Sequence, residues 1–148
     1  MKYFIIEPEV AGGLGEKTKI VYAEGKIKDI THLDYEFQGW QGDDILATHP
    51  CFIISESLSE TIKHSSLKGY KLEDMDVSFS DEFKEFCKVN NIPQFIRIIP
   101  TESIDEIKSI DLLNLDFYFY KKRYLVISED ALKIIKCFHI SNSIISSI

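Results

Sequence analysis

Three groups of residues in this chain have the types, if not the full spacing, that chemistry requires. His49 and Cys51 place an imidazole and a thiol two positions apart, so on an extended backbone they point to one face and could act as base and nucleophile. An orienting third group would have to come from elsewhere, Asp43 being the candidate. The preferred reading is structural: His49 bonds to backbone near Pro50, and Cys51 is a small buried hydrophobe. Asp43 and Asp44 follow Gly42, and adjacent carboxylates can share a divalent cation. A hard cation wants several further oxygens, and no second acidic cluster stands at a recognisable spacing, so a helix N-cap is the better role. Gly12-Gly13-Leu14-Gly15-Glu16-Lys17-Thr18 has the ingredients of a phosphate loop. Glu16 occupies the place where glycine must precede the lysine, and a strand-like stretch follows, so it reads as a flexible surface loop.

His32, His49, His64 and His139 never reach the spacing that puts two imidazoles on one helix face. Cys51, Cys87 and Cys137 are odd in number and far apart, which suits buried thiols better than a disulfide framework. No catalytic residue, metal ligand or cofactor site is therefore assigned. The strongest signal is electrostatic. Between positions 73 and 85, Glu73, Asp74, Asp76, Asp81, Glu82 and Glu85 stand against Lys84 alone. Such a stretch is either a solvated face or a docking surface for a basic partner, with Trp40 or Tyr70 as an exposed aromatic anchor beside it.

The elements that must position these groups are spelled most clearly by a phrase that occurs twice. Phe52-Ile53-Ile54-Ser55-Glu56 leads to Ile62-Lys63, and 73 residues later Leu125-Val126-Ile127-Ser128-Glu129 leads to Ile135-Lys136. Both copies describe a buried strand that stops at a serine cap and turns into an amphipathic helix. The units span about 51–79 and 124–148 and suggest an internal repeat with pseudo-twofold symmetry. Either Ser55 or Ser57 can cap the first helix, Ser57 with Glu60 forming a capping box.

Around these units, residues 2–7, 19–22, 76–79 and 94–99 read as strands, a further strand starts from Tyr70 after Gly69, and 117–127 read as a hairpin turning at Lys121-Lys122-Arg123. Residues 27–37 mix two periods, with strand favoured for 33–37. Residues 44–49 suggest one helical turn before Pro50. Ser80 should cap a short helix to Val89 with Phe83 and Phe86 on its buried side, and Ser103 with Glu106 a further helix lined by Ile104, Ile107 and Ile110. The expected fold is one α+β domain over residues 1–148, with a mixed, mostly antiparallel sheet and three to four helices.

At 148 residues the chain can bury roughly 68–70% of its unfolded surface, enough for one core without staples. A net charge of −7 disfavours nucleic acid and anionic membrane as partners and favours a basic protein. No apolar run approaches the roughly 18 residues that cross a bilayer, and the first residues are too acidic for a signal peptide, so a cytoplasmic protein is expected.

Taken together, residues 3–15 (Tyr-Phe-Ile-Ile-Glu-Pro-Glu-Val-Ala-Gly-Gly-Leu-Gly), Gly39-Trp40-Gln41-Gly42-Asp43-Asp44, and the Ser-Glu helix ending near Leu67-Lys68-Gly69 resemble the small α+β immunity proteins of bacterial polymorphic toxin systems. The second copy departs from the pattern, with Ile140-Ser141-Asn142 in place of Leu-x-Gly. The resemblance implies a protein without catalytic residues that neutralises a cognate toxin, such as a nuclease, by binding it as a monomer or homodimer. Two rivals stand beside it. A small cytosolic enzyme would need a pocket joining His49, Cys51 and Asp43, and a structural homodimer would present an apolar patch around residues 117–120.

Overall fold

Both serine-capped junctions form where the repeated phrase places them. The computed structural model of the chain describes residues 2–148, the side chains of residues 111 and 112 excepted. In chain order the strands are β1 Tyr3–Glu7, β2 Gly12–Leu14, β3 Lys19–Ala23, β4 Lys26–His32, β5 Asp34–Phe37, β6 Ile45–Thr48 and β7 Cys51–Ser55. Helix α1, Glu56–Lys63, follows directly, then β8 Tyr70–Glu73, β9 Asp76–Phe79, α2 Asp81–Phe86 and β10 Phe95–Pro100. The last part holds β11 Ser103–Ile104, α3 Ile110–Leu113, β12 Phe117–Tyr120, β13 Tyr124–Ser128, α4 Glu129–Ile135 and β14 Ile144–Ser147. The fold is α+β with mostly antiparallel sheets; among the described strands, only the β5–β9 and β11–β12 ladders are parallel. None of the described helices is long and apolar enough to cross a membrane.

The two larger sheets share one strand order. They run β6-β7-β10-β8 and β12-β13-β1-β14, with β11 added at the outer edge of the second. In each, a hairpin supplies two strands and the segment after the helix supplies the last. The third strand comes from the other half of the chain. Phe95 of β10 stands opposite Ser55, while Tyr3 of β1 stands opposite Ser128. On their far sides Arg97 pairs with Glu73 and Ile5 with Ser146.

A carboxylate clamps each junction. Ser55 accepts a hydrogen bond from the Leu58 amide and donates its hydroxyl to Asp44 Oδ1 at 2.7 Å, while Asp44 Oδ2 accepts from the His139 amide at 2.8 Å. Ser128 accepts from the Ala131 amide and donates to Asp116 Oδ1 at 2.6 Å, and Asp116 Oδ2 accepts from the Lys68 amide at 2.8 Å. Each aspartate thus fixes its own cap and the stretch beyond the other helix. Both helices feed one cluster, in which Phe52, Ile54, Leu58 and Ile62 meet Ile6, Leu125, Ile127, Ala131 and Ile135.

The opposite faces are covered too. Cys51 and Ile53 pack under Tyr35, Phe37 and Phe83, and Val126 packs with Tyr3, Tyr118, Ile104 and Ile110. That double burial is why β7 and β13 read as continuous apolar runs.

Several local expectations are corrected. Residues 44–49 form no helical turn: Ile45 to Thr48 pair with β7 across the His49-Pro50 turn, because a partner strand of matching pattern lies adjacent. Ser57 sits inside α1, and its expected box with Glu60 is replaced by the Ser55 cap. Ser103 and Ile104 pair with β12, so no cap forms there; the short helices begin later, at Ile107 and Ile110.

The glycine-rich segment is a strand and a pinned turn, not a flexible loop. Gly12 lies so close to β5 that a Cβ there would collide with the Glu36 carbonyl oxygen. The turn that follows wraps a buried carboxylate: Asp34 Oδ2 accepts from the Lys17 amide at 3.2 Å and Oδ1 from the Ser78 hydroxyl at 2.9 Å. An anion of the chain's own thus takes the place a phosphate would hold.

Asp44→Ala and Asp116→Ala are each expected to lower the free energy of unfolding by about 1–3 kcal/mol, the cost of stranding the groups they satisfy. Urea denaturation tests this. A loss confined to one of the two variants would show that the clamps are not equivalent.

Candidate functional site

The acidic stretch does not stay together in space. Glu73 closes β8 opposite Arg97, with its Oε1 3.7 Å from Arg97 Nη1. Asp74 and Asp76 instead line a groove of about 460 Å³ with Glu56, Glu60 and Lys63 of α1. Met75, Val77, Phe95 and Ile96 give that groove apolar walls. Four carboxylates therefore face one ammonium across an apolar floor.

Two of the groove's carboxylates are paired, one within α1 and one to β4. Lys63 Nζ lies 2.7 Å from Glu60 Oε1, and His32 Nε2 lies 2.7 Å from Asp76 Oδ2. The hydrogen bond from Lys63 holds the Glu60 carboxyl below its ordinary range, and the bond to His32 does the same for Asp76. Glu56 and Asp74 have no ion pair among the described residues. Glu60 and Asp76 therefore stay ionised to lower pH than an ordinary carboxylate.

Beyond β9 the chain turns at Ser80, whose hydroxyl accepts from the Phe83 amide at 3.1 Å. Asp81 and Glu82 follow in the first turn of α2, where their charge suits the helix dipole. Phe83 is buried against Phe37 and Phe79, with ring centroids 6.1 and 5.3 Å apart. Phe86, expected on the same buried side, is 80% exposed. The helix ends there, with Cys87 already extended, so only the first of the two rings reaches the aromatic cluster. Glu82, Glu85 and Phe86 share a face by their i, i+3 and i+4 spacing.

Trp40 and Tyr70 are not exposed anchors. Both are half-buried: Trp40 donates its Nε1 hydrogen to the Asp43 carbonyl at 2.9 Å and sets its ring edge-on to Phe95. Tyr70 donates to the Ile62 carbonyl at 3.3 Å and packs edge-on to Phe117. Each ring serves the interior, since a polar tip with a backbone acceptor lets an aromatic body be buried cheaply.

The residues considered for a nucleophilic site are separated. His49 and Cys51 line one cleft, but Asp43 is buried elsewhere, accepting from the Asn142 amide at 2.9 Å and its side-chain amide at 3.0 Å. It caps no helix; it ties down the turn before β14. Burial pushes the Cys51 thiol up to about 11, against the pull of the nearby Arg97 charge. A thiol of that kind is a poor nucleophile at neutral pH. No group of three His, Cys, Asp or Glu among the described residues could hold a metal ion.

The sequence reading named Asp74, Asp76 and the α2 carboxylates for an acidic surface and did not name Glu56, Glu60 or Phe86 beside them. The first two had a signal, because residues four apart on the outward side of an amphipathic helix must be neighbours. Phe86 had none, because its exposure depends on where α2 stops. No family model, curated protein or solved structure matches the chain.

Of the three thiols expected to be buried, only Cys51 is; Cys87 and Cys137 are exposed, so iodoacetamide at neutral pH is expected to label those two and to spare Cys51 until the protein is denatured. Intact mass reads this directly, and rapid labelling of Cys51 in the folded state would contradict its burial. Because the folded Asp76 carboxyl lies below its unfolded value, its bond to His32 stabilises fully above the ordinary carboxylate range and is lost as pH falls through the lowered value. Asp76→Asn should thus reduce the urea midpoint at neutral pH and leave it unchanged in strong acid.

Proposed function

We propose that this chain is an immunity-type binding protein of the bacterial cytoplasm, neutralising a cognate toxin by covering a basic surface on it. The carrying observation is the groove between α1 and β9, where Glu56, Glu60, Asp74 and Asp76 surround apolar walls. Charge of one sign above an apolar floor attracts Lys and Arg side chains and buries their aliphatic stems. The adjoining α2 offers Glu82, Glu85 and the exposed ring of Phe86, an anchor with an acidic rim. Glu73 belongs to a different set of contacts, through Arg97, and is left out of the surface.

The expected behaviour separates rate from lifetime. With the purified toxin domain encoded beside this chain's gene, Glu60→Lys, Asp74→Lys and Asp76→Lys combined should slow association about tenfold or more at low salt, and less at high salt. Phe86→Ala should mainly speed dissociation, costing about 2 kcal/mol of affinity. Surface plasmon resonance reads both constants. Association that is indifferent to the triple reversal at low salt removes the groove from the interface.

A further inference from the structure

Arg97 lies in the middle of a sheet, 6% exposed, and its charge is incompletely matched. Nη1 donates to the Ile30 carbonyl at 2.6 Å, while the Glu73 carboxylate reaches no closer than 3.7 Å. Nε is buried and has no hydrogen-bond partner among the described residues. Leaving a guanidinium nitrogen unpaired inside a protein costs about 1–3 kcal/mol, and Nε is closed to solvent, so an added acceptor has to reach the guanidinium elsewhere, from the cleft that Arg97 lines.

The surroundings say what that group is. Arg97 lines a cleft of about 290 Å³ between β4 and the sheet, the size of a small-molecule site. Lys28 and Lys122 line it too, against the single carboxylate of Asp29, whose Oδ1 already accepts from the Ile30 amide at 2.8 Å. With Glu73 counted beside Arg97, three cations stand against two anions, a positive balance in a chain of net charge −7. Phe52, Phe119, Ile27 and Ile99 supply apolar wall. Cys51, beside Arg97, stays neutral at ordinary pH and contributes no opposing charge.

We propose that this cleft binds a small organic anion, a carboxylate on an apolar body, through the part of the Arg97 guanidinium that lines it, with Lys28 and Lys122 alongside. A carboxylate accepts charge-assisted hydrogen bonds from guanidinium N–H donors, and desolvation by the apolar walls strengthens the pairing. This site is distinct in residues and in charge from the acidic groove, so it stands whether or not that groove binds a toxin.

The chain has two arginines, Arg97 and Arg123, which makes a direct readout practical. In a 15N-labelled sample, millimolar benzoate should shift the Nε–H resonance of Arg97 and leave that of Arg123 in place. Acetate should bind more weakly than benzoate for want of an apolar body. Lys28→Gln and Lys122→Gln should each weaken benzoate about fivefold, and Arg97→Lys should abolish the binding while retaining the charge. The two lysine variants test the site even if the arginine variant does not fold. An unmoved Arg97 resonance with benzoate, equal shifts at Arg97 and Arg123, or a response to inorganic phosphate but not to benzoate would each overturn the assignment.

Discussion

Each of the two principal sheets is completed by a strand from the opposite half of the chain, and the rest of the architecture depends on that exchange. β10 fills the gap between β7 and β8, and β1 fills the gap between β13 and β14. Without the inserted strand, each half would hold a hairpin and a post-helix strand with no ladder between them, leaving buried backbone groups unpaired. Each sheet is therefore complete only when both halves of the chain are in place. Pairings of this kind close long loops before any contact rewards them, so the molecule draws its cohesion from distant parts of the sequence.

The clamps by Asp44 and Asp116 follow from the same arrangement. A serine cap needs an acceptor for its hydroxyl hydrogen when it lies at the end of a buried strand, and an aspartate one residue ahead of the neighbouring strand is in reach. The second carboxylate oxygen then points at the chain leaving the other helix. Local capping and global closure are one hydrogen-bond network at each junction. Removing one aspartate disturbs both.

Charge is divided by the fold in a way that the net value hides. The sheet carries Arg97 and Glu73 together, so one acid of the charged stretch is taken up internally. Its neighbours fall on the groove beside α1, where two more acids join them. The cleft at Arg97 collects Lys28 and Lys122 from the β4 strand and the β12–β13 turn. An acidic groove and a basic cleft on one small domain offer two binding chemistries of opposite sign.

The residues by themselves determined the two strand-cap-helix junctions, the hairpin turning at 121–123, the Ser80 cap and the acidic character of residues 73–85, because period, caps and charge are local properties. They did not determine which strand lies beside which. Residues 44–49 became a strand only because β7 was available, and Gly12 needed its missing side chain only because Glu36 lies against it. Glu56 and Glu60 came to share a groove with Asp74 and Asp76 because α1 packs on β7 and β10, Phe86 was left outside by the early end of α2, and Arg97 acquired its cleft from β4, which sits 65 or more positions away. Sites of this kind are sums of distant segments, and the free energy that brings those segments together lies in pairings that no single stretch of sequence contains.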